Sequence, residues 1–317
     1  METALHAQLA RCLTVAIHHL THDLQTCSPL LAEKFDAWIR RLAGESPRES
    51  YFMHPEAFPM LLFPIWLETS LCQEVDWAFQ QDVISSSVSA YYFIRMIDNV
   101  MDVPNSQEVR LLPLLSFLHT ECVRPYFRYF DYQHPFWQLR NKIWTECAEA
   151  TVIDAESLAF DRTLFQATAA KKVHASKIPL AAVCLHHGCP EIPEAWQRLH
   201  DLMSCWHQMG NDTFDWQRDL ACQTPTYFLS EAQRRLQPGE SVLRWVAREG
   251  LAWAIDLENQ WMAAMQSIAR QLGNTDLLTY LAARDRDLHH KALAAREGFK
   301  SLEPLLALGE GHAVKHS

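Results

Sequence analysis

The sequence predicts an all-α protein, and two observations carry that prediction. Only nine of the 317 residues are glycine, and few runs alternate between apolar and polar residues as strands do. Hydrophobic residues make up 49% of the chain, enough for a sizeable buried core. Because no repeat, low-complexity tract or clear linker divides the chain, we expect one helical domain over residues 1–317.

The first part of the chain contains two predicted helices and a proline-rich segment. Residues 3–23 form the first helix. Pro29 to Gly44 form the second, in which Gly44 is the stop and the apolar residues have i, i+4, i+7, i+8 spacing: Leu31, Phe35, Trp38 and Ile39. Residues 45–58 are loop-like. Phe58 to Leu67 are apolar but contain two prolines, which predicts short turns.

Helical periodicity continues through the rest of the chain. Proline is expected to end or break helices at Pro104, at Pro113 and just after Lys177, where Pro179 follows. An aromatic, charged loop is predicted from Tyr126 to Pro135. The predicted helical segments are 70–103, 106–128, 136–160, 161–188, Pro193 to Asp219, Tyr227 to Leu236, 240–272 and 276–300.

Charge and cysteine usage exclude several classes of protein. The formal net charge is -10, and no basic stripe with interleaved aromatics occurs, which argues against nucleic-acid binding. The nine cysteines form no CxxC pair and no secretion signal precedes them, so reduced thiols in a cytoplasmic protein are expected. No run of about 18 apolar residues occurs, so no membrane span is predicted.

One segment carries oxygen-bearing side chains at helical spacing. Asn211, Asp215 and Asp219 fall at i, i+4 and i+8, so on a helix they stack along one face. Close acidic and amide side chains are unfavourable unless a metal or basic group satisfies them. Hard oxygen ligands of this kind suit Mg²⁺, which completes its shell with water and phosphate.

A second acidic pair occurs about a hundred residues upstream. Asp98 and Asp102 are i and i+4 in the otherwise apolar run Tyr91 to Asp102, which predicts a buried helix. A buried carboxylate pair is costly unless it is paired or metal-bound. The two acidic faces are therefore predicted to point across a helical bundle at one shared site.

Each of these features has an ordinary structural interpretation. An i, i+4 acid pair on a helix is usually a solvated face, and Arg95 could serve only as an i, i+3 partner of Asp98. The two faces together favour metal binding. Bound Mg²⁺ with cationic side chains would neutralise a diphosphate leaving group. The candidate cations are Arg95, Lys171, Lys172 and Lys177. Aromatic side chains, which are core residues by default, could face a carbocation in a dry pocket: Phe58, Phe63, Trp66, Phe93, Trp206 and Phe214.

These motifs resemble those of the class I isoprenoid (terpenoid) synthase superfamily. Asp98-Asn99-Val100-Met101-Asp102 resembles its first aspartate-rich motif, with Asn99 where a second Asp often stands. The segment from Gln208 to Asp215 is similar to the second motif of trans-prenyltransferases. The spacing of Asn211, Asp215 and Asp219 is similar to the terpene cyclase metal triad and to the pattern of squalene and phytoene synthases. Tyr227-Phe228-Leu229 resembles the Tyr-Leu-Pro that follows that pattern.

The resemblance implies the isoprenoid synthase fold, an all-α bundle around a central apolar cavity. It implies three Mg²⁺ ions, with Mn²⁺ as the alternative metal, and an allylic prenyl diphosphate substrate of the C15 or C20 class. By this resemblance Asp98 and Asp102 hold two metals, and Asn211, Asp215 and Asp219 hold the third. Asn99, Gln208, Asp212 and Tyr227 assist. The diphosphate would be bound by Arg95, Lys171, Lys177 and Arg218.

The resemblance leaves several activities open. Chain-elongating synthases carry Arg-Arg shortly after the first motif, whereas this chain reads Val103-Pro104-Asn105-Ser106. Squalene and phytoene synthases carry Tyr-x-x-x-Val-Ala-Gly before the second motif, whereas residues 169–175 here read Ala-Ala-Lys-Lys-Val-His-Ala. We therefore expect a terpene synthase, with head-to-head prenyl transfer as the runner-up. A homodimer is one assembly that this interpretation allows. A catalytically silent helical scaffold is the alternative from another class, and it predicts acidic faces that point outward or lie far apart.

Overall fold

The prediction of an all-α protein is confirmed in the computed structural model, which describes residues 4–44, 46–102 and 106–308. Over these ranges the ordered elements are helical, and no strand occurs among them. Side chains are described for the same residues except 102 and 301–308.

Fourteen α-helices are assigned in the described chain, together with shorter helical segments of other types. The 3₁₀ segments are Arg48–Tyr51, Gln107–Leu114, Arg124–Arg128 and His174–Ser176, and Val246–Gly250 is a π-helical segment. The α-helices are α1 (Ala4–Cys27), α2 (Pro29–Ala43), α3 (Leu62–Cys72), α4 (Trp77–Asp102), α5 (Leu115–Val123), α6 (Phe136–Glu156), α7 (Arg162–Lys172), α8 (Lys177–His186), α9 (Glu194–Phe214), α10 (Trp216–Cys222), α11 (Tyr227–Arg235), α12 (Val242–Trp245), α13 (Leu251–Gln271) and α14 (Thr275–Leu308).

The chain divides into two compact units. The first comprises Met1–Ala155 and Lys171–Gln197, and the second comprises Glu156–Ala170 and Arg198–Ser317. The expectation of one domain over residues 1–317 stays a prediction.

The core of the first unit forms where α1 and α5 pack on α4 and α2 packs on α1. The predicted apolar stripe of α2 is buried, and Gly44 follows the helix with φ 63°, a backbone conformation that favours glycine. Phe35 and Trp38 of α2 make edge contacts with Tyr92 of α4, with ring centroids 5.5 and 5.7 Å apart. These contacts fix α4, the helix that carries Asp98.

The second unit is built around α13, which packs along α14. The buried face of α13 includes Ala254, Leu257, Trp261 and Met265, at the i, i+3, i+4 spacing of an amphipathic helix. Aromatic rings of α11 and α12 pack against one another and against α13. The ring centroids of Phe228 and Trp245 lie 5.2 Å apart.

Two predictions about proline were wrong. Phe58 to Leu67 is not a series of turns, because α3 begins at Leu62 and Pro64 is only its third residue. The break predicted just after Lys177 instead precedes Lys177, at the 3₁₀ segment His174–Ser176, and Pro179 lies in the first turn of α8. Proline is tolerated in a first turn, since the N–H that it lacks has no helical partner there.

Other predicted boundaries also change. The segment 70–103, predicted as one long helix or two, contains the end of α3 at Cys72 and the whole of α4 from Trp77. Asp76 precedes α4 and accepts the backbone N–H groups of Ala78 and Phe79 at 3.0 and 3.1 Å. The segment 106–128 combines 3₁₀ and α geometry. The predicted stop at Pro104 lies outside the described residues.

None of the helices in the described chain is both long enough and apolar enough to cross a membrane.

Candidate active site

Asp98 lies at an apolar hollow in the first unit. This outer hollow has a volume of about 700 Å³ and lies between α4, α6 and the end of α7. Asp98 is its acidic residue, and the side chain is 24% exposed. Apolar walls come from α4 and α6: Phe93, Ile94, Ile97, Met101, Trp144 and Val152. A carboxylate at such an apolar surface is poorly solvated, and a bound cation would therefore stabilise it.

A second hollow adjoins the first within the same unit. This inner hollow has a volume of about 770 Å³, and it shares Ile94, Trp144 and Lys172 with the outer hollow. Of the aromatic residues predicted to line a pocket, Phe93 lines the outer hollow and Phe58 the inner one.

The other predicted aromatic residues have different surroundings. Phe63, Trp66 and Trp206 are buried in the core. Phe214 is half-buried, and the Nζ of Lys291 lies 5.6 Å from its ring centroid.

The first acidic pair is only partly described. Asp98 forms an ion pair with Arg95, whose Nη1 lies 3.2 Å from Asp98 Oδ2, as the ordinary interpretation of this spacing predicts. Asp102 is the last residue of α4, and its side chain lies outside the described residues. Asn99 is half-buried.

The predicted cationic residues occupy different environments. Lys172 lines both hollows, and its Nζ lies 2.6 Å from Asp154 Oδ2. Its neighbour Lys171 is exposed, and Lys177 is buried at the first position of α8. Lys172 is therefore the lysine of this group that lines the same hollow as Asp98.

The second acidic row lies across a helix junction in the second unit. One helix was predicted from Pro193 to Asp219, but α9 ends at Phe214 and α10 begins at Trp216. The backbone bonds nevertheless continue, because the N–H of Asp215 donates to Asn211 O at 2.9 Å and that of Asp219 to Asp215 O at 3.1 Å. Asn211, Asp215 and Asp219 therefore keep the spacing of successive helical turns.

Arg218 joins the two carboxylates of this row. Its Nη2 lies 2.9 Å from Asp215 Oδ2 and 3.4 Å from Asp219 Oδ1. Asp219 is 7% exposed, and burial together with the charge of Asp215 raises its pKa, although Arg218 partly offsets this. The predicted diphosphate ligand Arg218 is thus also the counterion of the predicted metal ligands.

Asp212 and its neighbours have a structural role. The Nε2 of Gln208 donates to Asp212 Oδ1 at 2.8 Å, and the backbone N–H of Tyr227 donates to Asp212 Oδ2 at 3.2 Å. Asp212 thereby satisfies an amide at the start of α11, where helix N–H groups lack partners. The ring of Tyr227 is buried and stacks on Phe165 with centroids 4.7 Å apart.

A buried acid that the sequence reasoning missed lies beside this row. Glu258 of α13 is 0% exposed, and a Cβ built on Gly210 of α9 would lie 3.6 Å from its Oε2. Neither carboxyl oxygen has a hydrogen-bond partner among the described residues. Burial and the charge of Asp212 raise the pKa of Glu258 well above its usual value, partly offset by Lys291 and Arg284.

The pattern that could have revealed Glu258 is its position on the apolar stripe of α13. Ala254 lies four residues before it and Met262 four residues after it, and both are buried. The spacing predicts burial for a charged residue at position 258.

The described side chains do not by themselves bring the predicted metal ligands together. No group of three or more His, Cys, Asp and Glu side chains that could hold a metal occurs within the part of the chain for which side chains are described. The donor chemistry of the second row fits a divalent cation. Asp215 and Asp219 supply carboxylate oxygens, and the charge of Asp215 raises the pKa of Asp219, so a cation between them would relieve their repulsion. Asp98 lies in the first unit and this row in the second, and their meeting at one site stays a prediction.

Comparison with known proteins gives no family for the chain. No protein-family model matches it, and no curated protein does so either.

Proposed function

We propose that this protein is a Mg²⁺-dependent class I terpene synthase that ionises an allylic prenyl diphosphate and cyclises or quenches the carbocation. The observation that carries the proposal is the position of Asp98, an acid at an apolar hollow of about 700 Å³ with Lys172 in the same wall. This combination suits a substrate with an apolar chain and an anionic head.

The second acidic row supplies additional support. Asn211, Asp215 and Asp219 follow one another at the spacing of helical turns, and Asp219 is a largely buried carboxylate. A buried carboxylate gains from a nearby cation because its ionised form is otherwise poorly solvated. Arg218 provides that positive charge, and a metal would compete for the same oxygens.

The residues of this chain have distinct roles in the proposed reaction. Mg²⁺, when bound, would neutralise charge on the departing diphosphate. Asp98 with Asp102, and Asn211 with Asp215 and Asp219, would hold the metal ions. The predicted diphosphate donors are Arg95, Lys171, Lys177 and Arg218. Lys172 would join them by exchanging its ion pair with Asp154 for the diphosphate. Phe93, Ile94 and Trp144 would exclude water from the hydrocarbon chain, and aromatic faces tolerate a nearby cation.

The test is turnover of prenyl diphosphates by the full chain. The C10, C15 and C20 allylic diphosphates are incubated with Mg²⁺, diphosphate release is measured, and extracts are analysed by gas chromatography. A hydrocarbon or alcohol from one substrate molecule supports a terpene synthase. A product containing two isoprenoid chains joined head to head would instead support the squalene and phytoene synthase type, and a longer diphosphate would support chain elongation.

The critical variant is Asp98→Asn, which keeps the shape of the side chain and removes its charge. We expect diphosphate release to fall by about a hundredfold or more, since the charge stabilises the transition state through the metal. Glu149→Gln is the matched control, because Glu149 is exposed on α6 and does not line the outer hollow. Equal release by wild type and Asp98→Asn would contradict the role of this residue.

A further inference from the structure

Within the described part of the chain, Arg140 is a buried cation that has no anion to balance it. It is 5% exposed, lies on the apolar face of α6 with Phe136 and Ile143, and lines the inner hollow. Its Nη1 donates to Asn141 Oδ1 at 3.2 Å, and its Nη2 lies 3.5 Å from the Sγ of Cys122. No carboxylate of the described side chains lies within ion-pair distance of it. An amide oxygen and a thiol are weak compensation for a buried guanidinium.

Among the described side chains that line the inner hollow, Arg140 is therefore the cation that no neighbouring carboxylate balances. Lys172 also lines this hollow, but it is neutralised by Asp154 at 2.6 Å. The charge of Arg140 has a visible effect nearby, because it adds to burial in lowering the pKa of His119. The guanidinium carbon of Arg140 also lies 5.3 Å from the ring centroid of Trp144, which holds the group in place.

A polar group with incomplete hydrogen bonding lies in the same wall. The hydroxyl of Tyr126 is buried, and although Ser86 acts on its pKa, no hydrogen bond of normal geometry reaches it within the described chain. Its neighbour Ser86, which also lines the hollow, already donates to Cys122 O at 2.5 Å. Buried hydroxyl groups normally have partners, so an orphaned donor at a hollow indicates a site for an acceptor.

The remaining wall of the inner hollow is mostly apolar, with Phe58, Met60, Ala90, Ile94, Ile178 and Pro179. A ligand that matches this hollow has one negative charge and a hydrocarbon body. A carboxylate meets both needs, because its two oxygens match the planar fork of a guanidinium. A diphosphate would bring further negative charges, and the other cation among the described residues of this wall, Lys172, is already paired with Asp154.

We propose that the inner hollow binds a single-chain amphiphile with a carboxylate head. The carboxylate pairs with Arg140 and accepts the hydroxyl of Tyr126, and the hydrocarbon chain lies along the apolar wall. This site is distinct from the predicted metal ligands and does not depend on the proposed synthase activity.

The experiment is a calorimetric titration of the full chain with dodecanoate, repeated with methyl dodecanoate. Wild type is expected to bind the acid more tightly than the ester, because only the acid can pair with Arg140. Arg140→Met should weaken dodecanoate binding by about tenfold to a hundredfold, the range expected for loss of hydrogen bonds to a charged group. Lys142→Met is the matched control, since Lys142 is exposed on the same helix, and it should bind as wild type does.

A second measurement separates binding from folding. Because Arg140→Met removes an uncompensated buried charge, the ligand-free variant should melt no lower than wild type. Arg140→Lys keeps the positive charge but loses the planar guanidinium that can pair with both carboxylate oxygens. Its affinity for dodecanoate should lie between those of wild type and Arg140→Met. Equal affinity of wild type for acid and ester, unchanged binding by Arg140→Met, or a lower melting temperature of that variant would overturn the proposal. Dodecanoate binding by Asp98→Asn should be unchanged, so failure of the synthase proposal is distinguishable from failure of this one.

Discussion

Gly250 lies directly beneath the indole ring of Trp245. A Cβ at position 250 would stand 2.5 Å from Cζ3 of that ring, closer than two carbon atoms can approach. Both residues belong to the turn in which α12 passes through the π-helical segment Val246–Gly250 into α13. The Trp245 ring is fully buried, so it has little room to move.

Replacing Gly250 with alanine should therefore destabilise the protein. We expect a loss of about 1–3 kcal/mol in the free energy of unfolding, the cost of overpacking a filled core. Gly298→Ala is the matched control, because Gly298 is also helical and has no atom within 4 Å of the added methyl group. There alanine should stabilise by up to about 1 kcal/mol through helix propensity. Urea unfolding of both variants measures the difference, and similar values for the two would contradict the packing argument.

Glu258 should make stability depend on pH. Its folded-state pKa is raised by burial and by Asp212 of α9, with Lys291 and Arg284 of α14 as opposing charges. For a carboxyl with a raised pKa, the stability that it contributes is present below its unfolded pKa and is lost as pH rises through the folded pKa. Glu258→Gln should remove this loss, so the variant should gain melting temperature relative to wild type as pH rises from about 5 to 8.

Thermal unfolding at several pH values tests this prediction. Asp256→Asn is the control, because Asp256 is exposed on the same helix, and its difference from wild type should not grow in the same direction. A constant difference between Glu258→Gln and wild type across this range would mean that Glu258 titrates normally in the folded protein.

Asp212 and Asp215 are expected to respond differently to substitution. Asp212→Ala leaves the buried N–H of Tyr227 without its acceptor, and this should cost about 1–3 kcal/mol of unfolding free energy. Asp215→Ala removes only the bond to the exposed Arg218, a pair worth about 0–1 kcal/mol. Under the proposed function, Asp215→Ala should still abolish Mg²⁺-dependent turnover. Chemical denaturation and diphosphate release, measured on the same preparations, separate the two roles.

Substitution of Lys172 is expected to weaken binding of a prenyl diphosphate more than substitution of Lys171. Lys172→Gln should raise the KM for a prenyl diphosphate by about tenfold, because the wall of the outer hollow loses a positive charge and the carboxylate of Asp154 loses its cationic partner. Lys171→Gln should have the smaller effect, since that side chain is exposed. Steady-state kinetics in Mg²⁺ decides the order, and a larger effect at Lys171 would shift the diphosphate site away from the outer hollow.

The sequence was informative about helices and less so about their ends. The apolar spacing from Leu31 to Ile39 predicted α2, and Gly44 predicted its end. The predictions made from Pro64 and Pro179 were wrong because proline breaks a helix only beyond its first turn. Where that first turn lies depends on packing.

The candidate site was predictable only where its residues are close in sequence. The pairing of Arg95 with Asp98 follows from i, i+3 spacing. The choice of Lys172 over its neighbours depends on Asp154 and on the wall of a hollow, and neither is visible in local periodicity. Arg140 was detectable in principle as a charge on the apolar stripe of α6. That no described carboxylate pairs with it could be found only from the folded structure.

The wall common to the two hollows makes their properties interdependent. Ile94, Trp144 and Lys172 face both, so a substitution at any of them changes two volumes and two electrostatic environments at once. Effects of such substitutions combined with changes elsewhere in either hollow will not simply add. Double-mutant cycles are consequently the appropriate way to assign a measured effect at these three positions to one hollow or the other.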